Sequence, residues 1–182
     1  MFRKLCLLVT IVVLSSVLLF NNSALAGLND DRYDGNMFVV YAGNGSLVPP
    51  RLTLEQSLER KMPTFLVYYL DDSSDCKQFA LIVSNLQNPY GRAASFVPVS
   101  VDSIPVKDKY EPTEVGYYYQ GIVPQTVILD QKGKVVFNGQ GQVKYEEIDD
   151  VLREVFDLLP RDQSLELKLK SFNEFNSELT NN

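Results

Sequence analysis

Thr64-Phe65-Leu66-Val67-Tyr68-Tyr69-Leu70-Asp71-Asp72-Ser73-Ser74-Asp75-Cys76-Lys77 is the stretch on which the fold turns. Residues 64–70 are nearly all apolar or aromatic, which suits a central strand buried on both faces rather than an edge strand. A short acidic, serine-rich turn follows. From about Asp75 to Gln87 the apolar residues Phe79, Ile82, Val83 and Leu86 recur at three- and four-residue steps, the period of a helix packed on one face. Asp75 stands where a negative charge favours the positive end of the helix dipole. A cysteine in the first turn of a helix entered from a strand is the setting of a Cys-x-x-Cys redox pair. Only its second half is present: Cys76 is there, and Ser73 occupies the degenerate attacking position.

Outward from this stretch, Thr53-Leu54-Glu55-Gln56 has the pattern of a capping box, and the helix it opens ends by Pro63. Met37 to Tyr41 is a short β-prone run, separated from that helix by a glycine- and proline-rich loop. Asn88-Pro89-Tyr90-Gly91 is expected to close the cysteine helix, and Ser95 to Val101 to form the next strand. After a connection rich in Pro, Lys and Glu, Gln125–Leu129 and Lys134–Phe137 flank Asp130-Gln131-Lys132-Gly133, a hairpin signal whose glycine supplies positive φ. Tyr145 to Leu159 predicts an amphipathic helix stopped by Pro160. Leu165, Leu169, Phe172, Phe175 and Leu179 then suggest an extra C-terminal helix over 161–182.

Arg3 and Lys4, the apolar run Leu5–Phe20 and the small-x-small Ala24-Leu25-Ala26 read as a secretory signal peptide over residues 1–26. A retained anchor is the rival reading, since the run is only slightly shorter than the ~17 to 25 residues that span a bilayer. Cleavage removes Cys6 and leaves Cys76 alone, so no internal disulfide forms even in an oxidising compartment. It also takes the net charge from −6 to −8, a balance unsuited to nucleic acid or anionic lipid. The chain contains no histidine, which excludes Ser-His and Cys-His nucleophile activation and removes the commonest transition-metal ligand.

The element order is that of an α/β protein with a mixed central sheet flanked by helices on both faces, over residues 27–160. Ile122-Val123-Pro124 heads the first hairpin strand, where a proline costs least. The cysteine turn, this proline entry and the terminal helix together resemble the thioredoxin superfamily, a three-layer fold that holds a cis proline beside its cysteine turn. Asp71-Asp72-Ser73-Ser74-Asp75-Cys76-Lys77, Tyr90-Gly91-Arg92-Ala93-Ala94, Tyr110-Glu111-Pro112-Thr113-Glu114, Gly116-Tyr117-Tyr118-Tyr119, Val123-Pro124-Gln125-Thr126 and Val155-Phe156-Asp157-Leu158-Leu159-Pro160 are similar to the cyanobacterial thylakoid membrane photosystem I accumulation factor family. That resemblance implies an exported protein at the thylakoid membrane, in the lumen or periplasm. Its expected partner is a photosystem I subunit or biogenesis factor.

For the site, Ser73 cannot replace a thiolate without a base, and it reads more simply as a helix cap. Cys76 is expected to be a protonated thiol, raised by burial and by Asp71, Asp72 and Asp75. Two functions stand open: protein binding without catalysis, and monothiol redox chemistry through Cys76. The acidic group lacks the oxygen spacing of a calcium site, and neither metal nor cofactor is expected. Tyr117, Tyr118 and Tyr119 beside Val123, Pro124 and Gln125 form the candidate partner-binding surface, with core packing as the alternative for the tyrosines.

Overall fold

A computed structural model describes residues 27–164, and in it the sheet has four strands in the order β2-β1-β3-β4. β1 (Thr64–Tyr69) lies between β2 (Ser95–Ser100), which it pairs in parallel, and β3 (Gln125–Leu129), which it pairs antiparallel. β3 turns through the expected hairpin into β4 (Val135–Gln140), with Gly133 at φ 75°. The period of two along β1 explains its unbroken apolar run. Phe65, Val67 and Tyr69 enter one apolar cluster and Leu66 and Tyr68 the other, so both faces are covered.

The first face carries three helices: α1 (Met37–Val40), α3 (Ser74–Tyr90) and α4 (Tyr145–Val155). The second face is covered by α2 (Leu54–Glu59) and by residues of the 101–123 connection. This is the three-layer arrangement expected from the sequence. The capping box at Thr53 is complete, its hydroxyl accepting from Gln56 N and the Gln56 side chain accepting from Thr53 N.

Three expectations need correction. Met37–Tyr41 is not a strand but the one-turn helix α1, because burial there does not alternate. Met37 and Phe38 are fully buried side by side, while Val39 and Val40 face solvent. Asn36 caps that turn by accepting from Phe38 N. Secondly, α3 runs through Pro89 to Tyr90, since a missing N–H at that position costs only one bond in the last turn. Thirdly, α4 stops at Val155 rather than Leu159. Asp157 adopts φ 51°, and Leu158 and Leu159 are exposed instead of continuing the apolar stripe. Pro160 therefore follows the stop and does not cause it. Of the helix expected over 161–182, residues 161–164 are described and hold only a short 3-10 turn, Arg161–Gln163; the rest of it and the leader 1–26 lie outside the described residues.

Candidate functional site

The turn between β1 and α3 holds its first amides with side chains. Ser73, in extended backbone, accepts from Cys76 N at 3.3 Å, the cap its sequence position predicts. Asp31 arrives from the N-terminal segment and accepts from Ser74 N at 2.8 Å, placing a carboxylate at the positive end of the helix dipole. That backbone bond, with one from the Ser74 side chain, holds Asp31 below the usual carboxylate range. Cys76 is fully buried among Phe79, Ala80 and Tyr69 of the first cluster, and it is a free thiol. Burial pushes that thiol up, against the smaller lowering effects of a Ser73 side-chain bond and a Leu70 backbone bond.

Lys77 is the residue that sequence reasoning missed. Its side chain is 0% exposed, yet it carries an ammonium group. Nζ donates towards the carbonyls of Gly27 (3.1 Å), Asp30 (2.9 Å) and Arg32 (2.6 Å) and towards the carboxylates of Asp34 (3.2 Å) and Asp30 (3.4 Å). It also lies 5.2 Å from the centroid of the Tyr41 ring. Burial opposes this charge, but hydrogen bonds with Asp34, Tyr41 and Asp30 outweigh it, so the ammonium is favoured beyond its ordinary range. Asp34 is held low, first by the Tyr41 hydroxyl. Asp30 is held at about 2, chiefly by Arg32. The segment Gly27–Asp34 is thus strapped across the N-terminal end of α3. Met37 N, which donates to Asp71 Oδ1 at 2.7 Å, ties the chain beyond it to the same turn.

On the other side, Val123 packs against both apolar clusters, the first of which contains Cys76, and the Val123–Pro124 bond is cis. The three tyrosines divide. Tyr119 stacks on the buried Tyr68 at 5.3 Å, and Tyr118 is half-buried with its hydroxyl donating to Pro112 O. Tyr117 is 53% exposed and meets Tyr118 edge-on. Gly116 lets the Tyr110 ring lie against the start of this run, since a Cβ there would lie 2.3 Å from it. Pro124 and Gln125 are buried. Gln125 works from inside: its amide donates to Tyr118 O (2.9 Å) and Asn138 Oδ1 (3.0 Å) and accepts from Gln120 N (2.9 Å).

What the loop offers outward is Tyr117, Ile122 at 46% exposure and half-buried Val123. Neither the N–H nor the C=O of Val123 makes a hydrogen bond among the described residues, whereas Pro124 O already accepts from Gly141 N. Ile122 was not singled out from sequence, though an isoleucine between a glycine and Val-Pro in a loop is a legible signal. No group of acidic or cysteine side chains among the described residues is arranged to hold a metal, and no helix among them is long and apolar enough to cross a membrane.

Residues 51–156 match the thioredoxin-like domain family. The chain is also similar to "Thylakoid membrane protein slr1796" of Synechocystis sp. (strain ATCC 27184 / PCC 6803 / Kazusa), at 65% identity over 159 residues covering 87% of this chain and 79% of that protein.

Proposed function

The chain belongs to the thioredoxin-like domain family, and from that premise we propose that it is a non-catalytic thioredoxin-like factor supporting photosystem I assembly and accumulation at the thylakoid membrane through protein binding. The thylakoid placement draws on the relative's name. Photosystem I draws on the motifs around Cys76, Tyr117 and Pro124. The observation that carries the binding mode is the unpaired main chain of Val123, next to the exposed Ile122 and in the same loop as the exposed Tyr117. An extended peptide laid along Val123 gains main-chain hydrogen bonds, and Tyr117 and Ile122 give it apolar contact.

The buried, raised thiol of Cys76 supports a structural part for that residue. The rival is a monothiol redox protein acting through Cys76, which requires that sulfur to reach a partner thiol. In cells, Cys76→Ser should leave photosystem I accumulation near normal, while Tyr117→Ala with Ile122→Ala should reduce it together with crosslinked partner recovery. Lost accumulation in a folded Cys76→Ser variant, with the loop double variant unaffected, would reverse the two readings. Pro124→Ala is expected to weaken partner recovery by reshaping the backbone at Val123.

A further inference from the structure

The described arginines fall into two sets. Arg32, Arg153 and Arg161 sit in ion pairs with aspartates. Arg51, Arg60 and Arg92 make no side-chain hydrogen bond or ion pair among the described residues, and all three line one cavity of about 300 Å³. They reach it from separate places: Arg51 from the loop before α2, Arg60 from the C-cap of α2, and Arg92 from just beyond α3. The cavity lies where β1 and β2 begin, at the end of the sheet away from Cys76. Its lining includes Ser46 and the apolar Met62 and Phe96, and no carboxylate.

Three arginines lining one concavity gather like charge in one place, and on a chain of net charge −6 there are carboxylates enough to neutralise them elsewhere on the surface. None does. Guanidinium is a fork of donors matched to the oxygens of phosphate-type anions. A cavity of this size with an apolar wall falls at the lower end of small-ligand sites. We propose that Arg51, Arg60 and Arg92 form a binding site for a phosphate-type oxyanion carried on a group with some apolar surface, either a small metabolite or the headgroup of an anionic lipid, the latter held by this local basic cluster against the acidic balance of the chain as a whole.

Titrating inorganic phosphate into the isotopically labelled full chain at constant ionic strength, with chloride as control, tests the shared chemistry by amide NMR. Saturable shifts are expected at Gly91, Arg92 and Ser95, with affinity at least about tenfold weaker when all three arginines become Gln. The side chains are exposed, and unchanged amide dispersion elsewhere shows that the triple variant folds. Sedimentation with phosphatidylglycerol against phosphatidylcholine vesicles then separates the sources. Arginine-dependent capture by the former assigns a lipid headgroup, and phosphate binding without vesicle capture assigns a small molecule. Absent saturation in the parent chain, or equal binding in the triple variant, overturns the proposal.

Discussion

At the entry to α3, the polar groups near Cys76 are partnered within the chain: Ser73 and Asp31 take the first helix amides, and Lys77 is enclosed by the oxygens of Gly27, Asp30, Arg32 and Asp34. At the proline loop, bordering the same apolar cluster, Gln125 braces the turn from inside while the main chain of Val123 is left without a partner. One region is closed and charged; the other is open and aromatic. The difference teaches that a serine at position 73, where a Cys-x-x-Cys turn would carry its first cysteine, does not leave a vacant site. A cap and a strap occupy it and fix the helix against which the neighbouring loop packs.

The largest effect on this contrast should come from Lys77→Met, which keeps much of the stem but leaves two carboxylates and three carbonyls facing a buried methyl group. Breaking a buried charge cluster by removing one partner is strongly destabilising, and the thermal midpoint is expected to fall on the order of 10 °C. A change within about 2 °C would mean that the strap is not a structural element. Next, Gln125→Ala strands Tyr118 O, Gln120 N and Asn138 Oδ1, at a cost of about 2 kcal/mol in denaturant unfolding. Faster amide exchange should then be confined to residues 117–123, and exchange spread over α3 would blur the two regions into one.

Ser73→Ala is smaller, about 1 kcal/mol, as for other helix caps; Ser73→Asp should restore it. Equal stability of the parent and the alanine variant would remove the cap from the comparison. The smallest effect is on acidification. Asp30 and Asp34 have folded-state values below the ordinary 3.8, so their contribution is fully present above that value and is lost as pH falls through the folded ones, about 2 for Asp30. Between about pH 4 and 2, amide exchange in residues 27–34 should quicken before that of the proline loop. Simultaneous release of both would contradict a separately held strap.

Much of the frame was legible in the residues because its signals are local. Thr53 and Gln56 lie within one turn, Gly133 needs positive φ in its own hairpin, and Ser73 caps the helix that begins beside it. The failures share a different physics. Val39 and Val40 look like strand residues, and only the packing of Met37 and Phe38 under the sheet selects a helical turn. A lysine reads as solvated by default, and the oxygens that bury Lys77 lie on a segment far away in sequence. Three consecutive tyrosines at 117–119 cannot all point inward, but nothing local shows that Gln125 faces in. Arg51, Arg60 and Arg92 converge only after β1, β2 and α2 have been assembled.

Pro98 sits in β2, the outer strand next to β1, in register with Val67. An outer strand is a template on which another chain can crystallise as a further strand, and a proline there withdraws an amide from the template. The turn at Gly45–Leu47 lies against the same strand. Aggregation by sheet extension is thereby discouraged on this side, which leaves β4, with its exposed Val135 and Val136, as the border at which crowding would first be felt.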